Sequence, residues 1–88
     1  MNEKKLLLHG WTFKAIRALS GYSAREFGMF LAEEGMRPTT ARGVYGLEEQ
    51  FTIKPKYVLA LRRFLGAEVY DQLLEFLLQR NRERHAYP

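Results

Sequence analysis

The chain has 88 residues, 47% of them apolar and 27% charged, and its 14 Lys and Arg against 10 Asp and Glu leave a net charge of +4. That length suits one domain with one modest core, and with no cysteine neither a disulfide scaffold nor a thiolate metal site is possible. No apolar run, Leu6-Leu7-Leu8 included, approaches the length of a membrane span.

Residues 1–5 include the charged Glu3, Lys4 and Lys5, but no long apolar stretch or small-residue cleavage site follows, which argues against a secretory signal and for a cytoplasmic protein. The basic balance leans toward polyanionic partners.

The first predicted helix covers residues 11–19. Phe13, Ile16 and Ser20 fall on one face with Arg17 beside them, and Gly21 stops it. Ser23-Ala24-Arg25-Glu26 is a capping box, in which the Ser side chain accepts from a backbone N–H and the Glu reaches back. Phe27, Phe30 and Leu31 supply the stripe of a second helix that runs to about Glu34. Gly35 lies just past its end, and Met36-Arg37-Pro38 is a turn.

Thr39 or Thr40 caps a third helix whose inward positions are Val44 and Leu47. Gly43 and Gly46 each cost this helix roughly 1 kcal/mol relative to Ala, so its neighbours must hold it. Residues 49–54 read as a connector, and nothing in the chain alternates like a strand. Pro55 suits the first turn of a fourth helix, with Tyr57 or Val58, Leu61, Phe64 and Leu65 inward and Gly66 at its end.

A fifth helix is predicted over residues 67–82, with a basic tail over 83–88 that frays. Its apolar band is wide: Val69, Leu73, Phe76 and Leu77 form one face, and Tyr70, Leu74 and Leu78 form a second stripe beside it. One small core rarely needs so broad a band. The surplus either covers Leu6-Leu7-Leu8 or buries against a second copy, which predicts a homodimer through Val69, Tyr70, Leu73, Leu74 and Leu77.

Catalysis finds no support. His9 and His85 stand at opposite ends of the chain, and Glu33-Glu34 and Glu48-Glu49 are adjacent carboxylates that point apart on a helix. Neither a glycine-rich phosphate loop nor a nucleophile elbow is present. The expectation is a non-enzyme without metal or cofactor.

Residues 13–66 resemble the phage repressor/Cro family of helix-turn-helix domains, also called the xenobiotic-response-element family. The segment from Arg17 through Ser20-Gly21 and Ser23 to Gly28 looks like the family's first helix, turn and scanning helix. Gly28 stands where the family has a small residue at the helix crossing. Thr39-Thr40-Ala41-Arg42-Gly43-Val44 looks like the opening of the recognition helix, Leu47-Glu48 like the hydrophobic-Glu pair, and Pro55 and Leu65-Gly66 follow at family-like spacing. The departures are a connection between helices two and three about six residues longer, Gln50 where the family commonly has Gly, and Ala41, Arg42, Gly43 and Gly46 where polar readers are the rule.

The resemblance implies an all-α, five-helix, lambda-repressor-like domain that binds duplex DNA as a dimeric transcriptional repressor, with helix three in the major groove. It also implies an ion pair between Arg17 and Glu48, joining helix one to the end of helix three. On this reading Arg42, between the small residues Ala41 and Gly43, is the base reader, since a guanidinium bonds bidentately to guanine. Thr39 and Thr40 are caps whose hydroxyls also suit a phosphate. Arg25, Arg37, Lys54 and Lys56 are phosphate contacts or ordinary solubility charges, and Tyr45 touches a sugar or base or is simply exposed. A diverged adaptor that uses the fold to bind a protein partner is the alternative.

Overall fold

The chain's capping residues set out its helices. In the computed structural model, which describes residues 8–85 and the side chains of residues 8–80, these are α1 (Gly10–Leu19), α2 (Ala24–Glu33), α3 (Ala41–Glu48), α4 (Pro55–Leu65) and α5 (Ala67–His85). The fold is all-α with five helices, apart from two short strands, β1 (Leu8–His9) and β2 (Thr52–Ile53).

The Ser23 hydroxyl accepts from the Glu26 N–H at 3.1 Å, and the Glu26 carboxylate accepts from the Ser23 N–H at 3.0 Å. That second bond favours the ionised acid and holds the Glu26 pKa below its ordinary value. At the other end of α2, Gly35 turns left-handed (φ 71°). The Met36 N–H reaches the Leu31 carbonyl at 2.8 Å and the Gly35 N–H reaches that of Ala32 at 3.1 Å. This Schellman closure satisfies the orphan carbonyls and drops half-buried Met36 against the core. Gly66, with φ 91°, lets α4 turn into α5 with no linker, and its carbonyl accepts from the Tyr70 N–H at 3.0 Å.

One core unites the helices. Phe13, Ile16, Phe27, Leu31, Val44, Ile53, Val58 and Leu61 are all buried. Phe27 meets Phe13 at 5.7 Å, edge on, and Phe64 at 5.5 Å. The predicted inward stripes of the first four helices thus turn inward, with Phe30, Tyr57, Phe64 and Leu65 partly buried at the margin.

Three sequence expectations need correction. Leu8 and Ile53 pair across an antiparallel ladder, with His9 opposite Thr52, inside what reads as a connector. Two residues per strand are too few for alternation to show. Next, α5 continues to His85, beyond the expected end near Arg82, so only residues 86–88 of the tail lie outside the description.

The third concerns the dimer face. Tyr70 (1% exposed) and Leu74 (4%) are core residues, not interface. Because α5 packs on both α4 and α1, it needs the second stripe for its own chain. Leu73 and Leu77 are half-buried, and Val69 alone of the five expected residues is exposed. Leu8 is covered within the fold, whereas Leu6 and Leu7 fall outside the described residues.

Candidate nucleic-acid interface

Helix α3 has two differently fated edges. Its inward edge, Val44, Leu47 and Glu48, is buried. Arg17 holds it there, since Nε donates to Glu48 Oε2 at 2.6 Å and Nη2 to Oε1 at 3.0 Å. The third donor, Nη1, goes to the Tyr22 carbonyl at 2.8 Å. One guanidinium therefore joins α1, the α1–α2 turn and the end of α3. The bond to Glu48 raises the Arg17 pKa against the opposing effect of burial. This is the pair the resemblance implies, and a fork-to-carboxylate bond of this kind sets angle as well as distance.

The outward edge of α3 runs Arg42, Tyr45 and Gly46 and continues to Glu49 at its C-cap, all exposed. Thr40 rather than Thr39 caps the helix, its hydroxyl accepting from the Gly43 N–H at 3.1 Å. Arg42 has no hydrogen bond or ion pair among the described residues, so its guanidinium is free to meet a ligand. Tyr45 is 50% exposed, with its ring 6.0 Å from the Arg17 guanidinium carbon.

The glycines of this region divide by what surrounds them. A Cβ on Gly28 would stand 2.9 Å from the Thr39 carbonyl oxygen, so α2 and the entry to α3 cross at bare backbone. A Cβ on Gly43 would collide with Cβ of Pro38, which follows a cis peptide bond. Gly43, placed by sequence among the DNA contacts, is half-buried against Pro38 and is a packing position instead. Half-buried Ala41 likewise packs against the core. Gly46 has nothing within 4 Å of its missing Cβ.

The remaining expected contacts are distributed around α3. Arg25 is in the first turn of α2, Arg37 in the loop before α3, Lys54 immediately before α4 and Lys56 in its first turn, and all four are exposed. Lys56 places its ammonium 5.0 Å from the Tyr57 ring centroid. Of the cations on the far side of α4, Arg62 is tied to Asp71 and Arg63 to Glu34.

Sequence reasoning missed an aromatic face beside α3. Trp11 is 61% exposed and Phe51 80%, and Phe51 stands edge-on to His9 at 4.8 Å. His9 also caps α1, its Nδ1 accepting from the Trp11 N–H at 3.2 Å. An open cleft of about 360 Å³ is lined by His9, Trp11, Lys14, Tyr45 and Glu49, together with Glu48 and Gln50. The signal lay in the misfit, for Trp11 is off the Phe13–Ile16 stripe and Phe51 is a large aromatic in a polar connector.

The described residues contain no cluster of His, Asp and Glu able to hold a metal ion, and no helix among them is long and apolar enough to cross a membrane. No protein-family model, curated protein or solved structure matches the chain.

Proposed function

We propose that this chain is a helix-turn-helix, sequence-specific DNA-binding protein of the repressor type, with α3 entering the major groove of duplex DNA. The observation that carries the reading is the division of α3. Its inner edge is fixed by the buried Arg17–Glu48 pair, while its outer edge presents Arg42, without a hydrogen bond or ion pair among the described residues, beside the bare backbone of Gly46. Arg42 reads a base edge, Gly46 allows close approach, and Tyr45 lies against sugar or base. The Thr39–Thr40 entry and the cations Arg25, Arg37, Lys54 and Lys56 grip phosphates. A cytoplasmic location goes with this role. Direct titration with random duplex, at low salt and then rising salt, tests it. Affinity that falls linearly on a log–log salt plot supports the reading, and indifference to duplex at low salt removes it.

A second reading, an adaptor that occupies a protein partner, draws on the exposed Trp11 and Phe51, since aromatics of this kind dominate protein interfaces. It predicts the opposite result in the same titration.

A further inference from the structure

We propose that two copies of this chain pair through the face that carries Trp11, and that the pairing covers the outer edge of α3. Three large aromatics are in water there: Phe51 is 80% exposed, Trp11 61% and Tyr45 50%, with Trp11 and Tyr45 lining one cleft with His9, whose ring meets Phe51. Among the described residues the Trp11 indole has neither a hydrogen bond nor a ring contact, so the fold itself leaves it unused.

The shape of the face fits itself. Trp11 borders two hollows. One, of about 360 Å³, lies toward Tyr45 and Glu49. The other, of about 270 Å³, is lined by His9, Trp11, Thr12, Leu77 and Leu78, where α1 meets α5. A two-fold axis makes both copies use the same patch, so a ridge beside a hollow is complementary to its own image. Each indole enters the other copy's hollow.

The charge fits itself too. Lys14 and Glu49 share the first hollow, while Glu48 is already taken up by Arg17. Pairing brings Lys14 of one copy toward Glu49 of the other. The surface that carries Arg25, Arg37, Lys54 and Lys56 would instead repel a second copy of a chain with net charge +4.

The area fits a weak, concentration-dependent dimer. Burying the rest of the three aromatics removes roughly 400 Å² per copy at the usual 150–250 Å² per side chain. That is about half of the ~800 Å² each partner gives a standard interface, and His9, Leu77 and Leu78 extend it. Leu77 is thus the residue of the expected dimer set that this face retains.

Tyr45 and Glu49 belong to the outward edge of α3, so a second copy seated here competes with a duplex docked at Arg42. That consequence rests on the DNA reading; the pairing does not.

Trp11 is the single tryptophan of the chain, so its emission reports the pairing directly. With rising concentration the emission shifts to the blue, in step with a monomer–dimer transition in sedimentation equilibrium. Phe51→Ser keeps the reporter and raises the dimer Kd by about tenfold or more. Trp11→Ser does the same by sedimentation, and Phe76→Ser, on the exposed side of α5, leaves the dimer unchanged. All three side chains are largely in water, so circular dichroism of the variants stays that of the parent chain.

A chain that stays monomeric through the high-micromolar range overturns the proposal. So does a dimer that Phe76→Ser breaks while Trp11→Ser and Phe51→Ser leave it intact. Added duplex lowers the dimer fraction; a bound duplex that leaves the dimer fraction unchanged overturns the competition. Failure of any duplex to bind overturns the DNA reading alone, and the pairing result stands.

Discussion

Glu48 has a side chain only 1% exposed, and both of its carboxylate oxygens are bonded to Arg17. Glu48→Gln keeps the shape but strands a buried guanidinium, which should lower unfolding free energy by about 3 kcal/mol in urea denaturation. An apolar replacement of both partners should recover much of that loss, because the desolvation penalty then disappears with the charges. Tyr70 is the opposite case. Among the described residues its buried hydroxyl has no hydrogen-bond partner, and burial, aided by Asp71 and opposed by Arg62, pushes its pKa up to about 12. Tyr70→Phe should therefore stabilise the fold by about 1–2 kcal/mol, read from the denaturation midpoint. The phenol titrates near 10 when unfolded, so the folded state holds its proton where the unfolded state has lost it. Stability from this group is full below pH ~10 and is lost as pH rises toward ~12, by about 2–3 kcal/mol. The Phe variant should lack that alkaline loss.

At the scale of the element, α3 carries two glycines with opposite roles. Gly46→Ala meets open space, so only helix propensity changes, and the variant should gain about 0.5–1 kcal/mol. Gly43→Ala drives a methyl into the Pro38 ring and should lose about 1–3 kcal/mol. Thermal melts of the two variants should move in opposite directions. If both rose, the Pro38 loop would be yielding and the entry to α3 would not be held by packing. If DNA approaches α3 closely, Gly46→Ala should also weaken duplex binding even though it stabilises the protein. A glycine that no intrachain contact demands, in a helix short of intrinsic stability, is otherwise a cost without a return.

For the molecule as a whole, the +4 charge acts only through where the cations stand. Arg42→Ala should weaken the cognate site by about 1–3 kcal/mol and relax preference at one base position. Lys56→Ala, in the first turn of α4, should weaken all sequences alike and reduce the salt slope by about one unit. Binding isotherms on cognate and scrambled duplexes at several salt concentrations separate the two. An equal loss on every sequence for both variants would mean that the protein holds DNA without reading it through Arg42.

The chain by itself determined the helices. Their signals are local: a capping box at Ser23 and Glu26, Pro55 opening α4, Gly35 and Gly66 where the backbone turns left-handed, and apolar residues three and four apart. It also determined the Arg17–Glu48 link, legible only through the ordered resemblance, because 31 residues separate the partners. Only tertiary structure decided which stripe of α5 is core. Periodicity shows that a face is apolar but not how many neighbours compete for it, and here α5 packs on both α4 and α1, and Tyr70 and Leu74 are buried. The same holds for the β1–β2 pair, whose ladder joins residues 8 and 53 with too few positions for a pattern. It holds for Gly43, which is small because Pro38 lies against it. The aromatic face is the fullest instance. His9, Trp11, Tyr45 and Phe51 come from α1 and its cap, α3 and the segment after it. No spacing along a chain encodes the meeting of side chains that only a folded core brings to one surface.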